Sequence, residues 1–141
     1  MDKLKLENQL CFPLYACSRE VLTKYKPILD EMDLTYTQYI VMLVMWEHQE
    51  ISAKELGKLL HLDSGTLTPV LKTLEKKGLV ARKRSALDER VLVVNITDKG
   101  KKLKKEAADV PDRIGSCINL DQEEAQTLYR LLYKVMGGID G

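Results

Sequence analysis

Three cysteines carry the most reactive side chains of this sequence, and Cys11 is the one whose neighbours suggest chemistry. A thiolate attacks a peroxide and becomes a sulfenic acid, so a reactive cysteine needs groups that favour the charged sulfur. No Lys or Arg lies within one helical turn of Cys11, but a helix start beside Pro13 and the Tyr15 hydroxyl, four residues on, are available donors. By residue type alone, a cysteine among apolar neighbours is more often buried packing, so both interpretations stay open.

A second set of chemistry-bearing residues opens a predicted helix. Ser64, Thr66 and Thr68 supply hydroxyls there, and Gly65 lets the backbone come close to a partner. Threonine can bond either base edge and can contact a thymine methyl, and Lys72, one turn on, can meet a phosphate or a guanine. The pattern predicts a recognition helix in a major groove. The plainer interpretation is that these hydroxyls only cap the helix.

Basic side chains cluster next on a predicted β-hairpin, at Arg82, Lys83, Arg84 and Arg90. A hairpin is narrow enough to enter a minor groove, whose negative potential favours arginine. We expect Arg90, at the tip, to insert there, with Asp88 holding its guanidinium by a charge-assisted pair. A solvated hairpin without a partner is the alternative.

The formal net charge of +1 hides an uneven distribution. Residues 50–105 hold 14 Lys and Arg against 7 Asp and Glu, whereas the other residues hold 8 against 14. A basic middle between acidic flanks predicts contact with a polyanion, and double-stranded DNA fits the pattern. Lys76 and Lys77 are expected to contact phosphate or to be plain surface, and the lysine run at 99–105 to be solvated.

Composition excludes several classes of protein. A chain of 141 residues with 45% hydrophobic and 30% charged residues can bury a core without a disulfide or a metal. The longest apolar run, Tyr39 to Trp46, is too short to span a membrane, and the N-terminus lacks a signal-peptide pattern. An odd number of cysteines without a CxxC pair argues against a disulfide framework and a zinc site. We therefore expect a cytoplasmic protein without metal or cofactor.

Apolar periodicity and capping residues predict six helices and one hairpin. The helices are expected over residues 8–31, 35–48, a short segment opened by Ser52 to Glu55, 64–77, 98–117 and 122–136, and the hairpin over 79–96. A helix-turn-helix followed at once by a basic hairpin is a winged helix. The predicted fold class is therefore mainly α with a small β-hairpin.

Prolines and glycines add local expectations. Pro27 is expected to kink or interrupt the first helix, Pro111 to bend the fifth, and the glycine pair at 137–138 to end the last. Pro69 leaves two N-caps open for the fourth helix, Asp63 and Thr68.

The predicted organisation places a winged helix-turn-helix DNA-binding domain at residues 35–97, with residues 1–34 and 98–141 as a helical dimerisation region. The terminal helices carry apolar stripes wider than a small winged domain can cover, and we expect a second copy of the chain to cover them. The clearest stripe contains Leu128, Leu131, Leu132 and Val135.

The stretch DSGTLTPVLKTLEKKGLVARKRSALDERVLVVNITDKG, residues 63–100, closely resembles the recognition helix and wing of MarR-family transcriptional regulators. Its strongest marks are Asp88-Glu-Arg90 and the closing segment from Ile96 to Gly100. The stretches at residues 6–20 and 34–47 resemble the OhrR branch, the repressors that sense organic hydroperoxides.

The resemblance implies a dimeric repressor that binds a pseudo-palindromic operator and releases it when an organic hydroperoxide oxidises Cys11. In such repressors, tyrosines matching Tyr25 and Tyr36 bond the reactive cysteine from the partner subunit. One subtype then needs an external thiol, and another forms a disulfide between subunits with a C-terminal cysteine, a role open to Cys117. Cys17, on a different helical face from Cys11, is interpreted as packing.

Three alternatives stand beside this hypothesis. A MarR-like repressor can instead be released by a small aromatic ligand, bound between the dimerisation region and the winged domain. An enzyme using Cys11 with His48 or His61 is disfavoured, because neither histidine has an orienting partner in the sequence and no phosphate loop or hydrolase motif is present. A winged helix that binds only proteins is disfavoured by the basic hairpin.

Overall fold

The computed structural model describes residues 2–140 and is mainly helical with one small antiparallel sheet. In chain order the elements are a 3₁₀ turn (Leu6–Asn8), α1 (Cys11–Asp30), α2 (Tyr36–His48), β1 (Glu50–Ser52), α3 (Ala53–Leu60), α4 (Ser64–Lys76), β2 (Val80–Arg84), β3 (Leu92–Ile96), α5 (Asp98–Ala107), α6 (Val110–Gly115) and α7 (Gln122–Asp140). The chain divides into two compact units, Met1–Val110 and Pro111–Gly141. Within residues 2–140, no helix combines the length and the apolar character needed to cross a membrane. The predicted fold class is confirmed.

The first helix, α1, begins at Cys11 and runs unbroken past two prolines. Pro13 lies in its first turn, where a missing N–H is tolerated. Pro27 lies inside the helix, and the expected interruption does not occur. Ile28 and Leu29, directly after it, are buried, so packing holds the last turn in place.

A capping box fixes the start of α2. The Thr35 hydroxyl accepts the Gln38 N–H at 3.3 Å, and the Gln38 side-chain oxygen accepts the Thr35 N–H at 3.1 Å. The helix is buried along most of its length, as its apolar sequence predicts. Its buried apolar residues are Tyr39, Val41, Met42 and Met45.

The helix-turn-helix consists of α3 and α4, each started by a side-chain cap. The Ser52 hydroxyl accepts the Glu55 N–H at 3.1 Å, and the Asp63 carboxylate accepts the Thr66 N–H at 2.8 Å. Asp63 is therefore the N-cap of α4, and Pro69 lies within that helix. Gly78, at a φ of 77°, turns the chain from α4 into the sheet.

The sheet contains one strand more than the predicted hairpin. Its order is β1-β3-β2, and both pairings are antiparallel. Val94, at the centre of β3, pairs with Ile51 on one side and Arg82 on the other. Ile51, Val80 and Val94 are buried, so the sheet contributes its inner face to the core of the first unit.

The C-terminal helices differ from their predicted bounds. The expected helix over 98–117 is divided into α5 and α6, and Pro111 lies in the first turn of α6, where proline is favoured. In α7, Asp121 and Glu124 form a capping box, with each side chain accepting the other's N–H. The helix continues past Gly137 to Asp140, because glycine ends a helix only when it takes a left-handed conformation.

Candidate functional site

The start of α4 presents the predicted hydroxyl groups to solvent. Ser64, Gly65 and Thr66 are exposed, and Thr68 is half-buried. The opposite face of the helix is anchored in the core by leucines, so the outward orientation of the hydroxyls is fixed. Those leucines are Leu67, Leu71 and Leu74. Lys72, one turn after Thr68, is exposed on the outer side.

The loop between β2 and β3 holds Arg90 in a defined geometry. The Arg90 Nε donates to Oδ1 of Asp88 at 3.1 Å, and its Nη2 donates to Oδ2 at 3.2 Å. The Arg90 backbone N–H also donates to Asp88 Oδ1, and these bonds hold the pKa of the Asp88 carboxyl below its usual range. The Arg90 side chain is nevertheless 90% exposed, so its guanidinium is oriented while it stays available to a partner.

The remaining basic residues of the hairpin fall into two groups. Lys83 and Arg84 are exposed. The Arg82 side chain is only 19% exposed, and its Nη2 donates to Glu75 Oε1 at 3.0 Å. Hydrogen bonds from the side chain and backbone of Arg82 lower the pKa of the Glu75 carboxyl. The sequence predicts that Arg82 is available to DNA like the other basic residues of the hairpin, but in the structure it is paired with Glu75 of α4.

A second basic residue that was expected at the surface, Lys77, makes hydrogen bonds within the protein. The Lys77 ammonium donates to the Asp33 carbonyl oxygen and to the Gln38 side-chain oxygen, the latter at 2.9 Å. Lys99, from the run expected to be solvated, donates to the Lys77 carbonyl oxygen at 2.8 Å. These bonds attach the end of α4 to the turn between α1 and α2 and to α5.

A group of hydrogen bonds at the base of the β2–β3 hairpin, which forms the wing, was not predicted from the sequence. The Thr97 hydroxyl donates to the Gly78 carbonyl at 2.6 Å and accepts the Gly100 N–H at 3.0 Å. The Trp46 indole N–H donates to the Gly100 carbonyl at 2.9 Å. The three-residue spacing between Thr97 and Gly100 is typical of a helix cap, and this was the signal in the sequence from which these hydrogen bonds could have been predicted.

Cys11 is exposed at the first residue of α1. The Tyr15 hydroxyl, expected to serve Cys11, accepts a hydrogen bond from Arg19 at 3.3 Å instead. Cys17 is also exposed, so the expectation that it packs is wrong for the chain by itself. Its position explains this, since α1 contributes its last turn, around Ile28, to the core and Cys17 lies three turns earlier. Cys117 is exposed, and its thiol donates to the Arg113 carbonyl at 3.5 Å.

Tyrosines form a cluster between the end of α1 and the start of α2. The rings of Tyr25 and Tyr36 lie 4.8 Å apart, and Tyr39 lies within 6.2 Å of both. Burial, followed by the proximity of Tyr36 and Tyr39, raises the pKa of Tyr25 to about 12. Burial also raises the pKa values of Tyr36 and Tyr39. The phenols therefore stay protonated at neutral pH and can donate hydrogen bonds.

A cavity of about 270 Å³ adjoins this cluster. Its lining combines aliphatic and phenolic side chains with one ion-paired Lys and Asp. The lining residues are Leu22, Tyr25, Lys26, Leu29, Asp30, Leu34, Thr35 and Tyr36. Across residues 2–140, no group of three potential metal ligands comes together.

Comparison with known proteins gives the chain clear relatives. A family model described as transcriptional regulator SarA/Rot matches residues 23–107. The organic hydroperoxide resistance transcriptional regulator of Bacillus subtilis is 47% identical over 135 residues, which cover 96% of this chain and 92% of that protein.

The solved structures include AbfR of Staphylococcus epidermidis in several states. Overoxidised AbfR bound to DNA has a TM-score of 0.80 and 34% identity, covering 99% of this chain and 98% of the other. Reduced AbfR bound to DNA has a TM-score of 0.80 and 35% identity, with 98% and 96% coverage. A disulfide form of AbfR has a TM-score of 0.70 and 33% identity, with 99% and 96% coverage.

Proposed function

Because this chain belongs to the MarR family of winged-helix transcriptional regulators, within its OhrR-like branch, we propose that it is a dimeric repressor whose operator binding is relieved when an organic hydroperoxide oxidises Cys11. It acts on double-stranded DNA in the cytoplasm, and it binds and releases DNA without turning over a substrate. The observation that carries the proposal is the presence, in one unit of the chain, of an exposed thiol at a helix start and an exposed, ion-paired arginine on a wing.

The DNA contacts divide between the two grooves. Ser64, Gly65, Thr66 and Thr68 face the edges of bases in the major groove, with Lys72 behind them. Arg90 enters the neighbouring minor groove in the orientation set by Asp88. Lys83 and Arg84 contact phosphates, which gives salt-dependent affinity without sequence information.

A second copy of the chain supplies the other half of the interface with the operator. Both units expose large apolar side chains that a partner must cover. In the first unit these include Leu4, Leu6, Leu10, Phe12 and Leu14, and in the second they include Leu128, Leu131 and Val135. We therefore assign residues 1–34 and 98–141 to dimerisation and residues 35–97 to DNA binding. The two recognition helices must lie about 34 Å apart to reach successive major grooves.

The tyrosine cluster of one subunit serves the reactive cysteine of the other subunit. Cys11 and Tyr25 lie on the same continuous helix, fourteen residues apart. At 1.5 Å per residue this separates them by about 21 Å, so a chain cannot bring its own cysteine to its own cluster. In a dimer, the phenols of Tyr25 and Tyr36 can donate to the partner's reduced sulfur, which connects the state of that sulfur with the spacing of the subunits.

Oxidation proceeds by a two-electron step. The Cys11 thiolate attacks the terminal oxygen of the hydroperoxide, the O–O bond breaks, an S–OH group forms, and the alkoxide leaves as an alcohol after taking a proton. A second thiol can then attack the sulfenic sulfur, forming a disulfide and releasing water. We propose Cys117 of the other subunit as this thiol, because it is exposed and because the relative AbfR has been solved in a disulfide form.

A gel shift with the promoter of the chain's own gene neighbourhood tests the proposal. Reduced protein should bind, protein treated with cumene hydroperoxide should not, and the Cys11→Ser variant should bind in both conditions. Cys17→Ser, an exposed cysteine on the same helix, is the matched control and should respond like the wild type. Binding that ignores the oxidant in the wild type would contradict the redox mechanism.

Non-reducing electrophoresis tests the role of Cys117 separately. The treated wild type should run as a crosslinked dimer, and Cys117→Ser should run as a monomer. Crosslinking that persists in Cys117→Ser, or that is absent in the wild type, would contradict the assignment of Cys117.

The cavity beside Tyr25 and Tyr36 favours one second candidate, release by a small aromatic ligand. Its volume is close to the lower end of the range for small-molecule sites. Titration with salicylate separates the two mechanisms, because a variant without cysteines would still respond to a ligand.

A further inference from the structure

The pair formed by Glu75 and Arg82 joins the recognition helix to the wing by side-chain bonds. Glu75 is the penultimate residue of α4, and Arg82 lies at the middle of β2. Two guanidinium nitrogens of Arg82 reach Glu75 Oε1, Nη2 at 3.0 Å and Nε at 3.4 Å. The Arg82 backbone N–H donates to the other carboxylate oxygen at 3.2 Å.

Strand alternation explains why Arg82 differs from its neighbours. Successive side chains of a strand point to opposite faces of the sheet, so Arg82 shares a face with Val80, which is buried. Lys83 shares the other face with Ala81, which is exposed. Arg82 therefore extends beneath α4, where Glu75 meets it, while Lys83 extends into solvent.

We propose that Arg82 is a positioning residue for operator binding and that it holds the wing at the angle to α4 that lets both reach their grooves. The proposal rests on the DNA-binding function proposed above. Only Lys77, Gly78 and Leu79 connect α4 to β2, and the glycine at this turn allows the strand to pivot. The Glu75 carboxylate holds both the backbone and the side chain of Arg82, so it limits that pivot. Glu75 is accordingly as necessary for binding as Arg82, although it carries the charge that DNA repels.

The sign of the Glu75→Gln effect separates positioning from direct contact. If Arg82 contacted a phosphate, removing the neighbouring negative charge would leave DNA binding unchanged or make it tighter. If Arg82 positions the wing, Glu75→Gln should weaken binding although it makes the protein more positive. The slope of log affinity against log salt adds a second criterion, because each lost phosphate contact lowers its magnitude by about one.

The experiment measures operator affinity by fluorescence anisotropy over a salt series for the wild type and four variants. Glu75→Gln and Arg82→Gln should each weaken binding by about tenfold, the double variant should be no worse than either single one, and all three should keep the wild-type salt slope. Lys83→Gln, an exposed neighbour on the same strand, is the control and should lower the slope by about one. Glu75→Gln binding as tightly as the wild type, or a lower slope for Arg82→Gln, would overturn the proposal.

Hydrogen exchange of the free protein gives a readout that does not depend on DNA. The Arg82 amide and its neighbours in β2 should exchange faster in Glu75→Gln than in the wild type, and unchanged exchange would overturn the proposal. The charge-swapped variant Glu75→Arg with Arg82→Glu restores the side-chain ion pair but not the bond from the residue-82 N–H, because a guanidinium accepts no hydrogen bond, so it should recover binding only in part relative to Arg82→Gln. A wild type that fails to bind its operator would instead contradict the proposed function, while the exchange result would still report on the wing.

Discussion

The Lys77 ammonium lies 2.9 Å from the side-chain oxygen of Gln38 and connects the end of the recognition helix to the start of α2. The same ammonium bonds the carbonyl of Asp33, a residue held at a left-handed φ of 55° in the turn between α1 and α2. Gln38 is 7% exposed and also completes the cap of α2. This chain of bonds is a direct connection between the neighbourhood of the tyrosine cluster and α4.

Replacing Lys77 by Met should destabilise the protein by about 1–3 kcal/mol, because the buried Gln38 oxygen and the Asp33 carbonyl would lose a charged donor. Lys76→Met, an exposed neighbour, should change the free energy of unfolding by less than about 0.5 kcal/mol. Urea unfolding of both variants measures the difference. Equal effects would show that the Lys77 bonds contribute nothing beyond an ordinary surface lysine.

Replacing Arg90 by Ala should weaken operator binding by about 1–3 kcal/mol, since the wing would lose its minor-groove arginine. Asp88→Asn should cost less, because it frees the guanidinium without removing it. Lys101, exposed on α5, supplies the control, and Lys101→Ala should bind nearly as the wild type does. Anisotropy titrations at one salt concentration compare the three variants, and similar losses for Arg90 and Lys101 would count against a wing contact.

Gly100→Ala should destabilise the fold by about 2–4 kcal/mol. A Cβ at this position would collide with the Leu79 carbonyl oxygen and lie 2.8 Å from Cγ1 of Ile96. At Gly115 the same addition meets nothing within 4 Å, so Gly115→Ala should shift stability by no more than about 1 kcal/mol. Thermal melting compares the two variants, and a Gly100→Ala protein as stable as Gly115→Ala would be inconsistent with this packing.

Alkaline pH should reveal the burial of Tyr25. An unfolded tyrosine ionises near pH 10, whereas the pKa of Tyr25 in the fold is about 12. The unfolded chain therefore loses this proton first, and stability should fall as pH rises from about 10 to 12. Ultraviolet titration should show a late phenolate component that Tyr25→Phe reduces, because the pKa values of Tyr36 and Tyr39 are raised as well. A titration complete by pH 11 would contradict the assignment.

Local signals in the sequence predicted the helix starts well. Thr35, Ser52, Asp63 and Asp121 each cap a helix at or beside its expected first residue, because a cap depends only on residues two or three positions away. The strand β1 was missed, since its three residues form a strand only by pairing with β3, more than forty positions later. Pro27 failed as a helix breaker for a related reason, as tertiary packing outweighed a local preference.

In the candidate site, too, features that depend on nearby residues could be predicted, whereas features that depend on distant residues could not. Its residue types were recognisable, and the Asp88–Arg90 pair is separated by two positions, so the sequence could suggest it. Arg82 and Arg90 have identical chemistry, and only the folded position of Glu75 distinguishes them. Lys77 likewise resembles Lys76 in the sequence, and its bonds to Asp33 and Gln38 cross about forty positions.

The strand β2 lies at the edge of the three-stranded sheet, where unpaired backbone groups can recruit a strand from another molecule. The bond from the Arg82 N–H to the Glu75 carboxylate occupies one of these groups. Lys83 and Arg84 add repulsion between like-charged edges. The features that prepare the wing for DNA therefore also protect the free protein from edge-to-edge aggregation, and a variant chosen only to weaken DNA binding at this strand should also become less soluble.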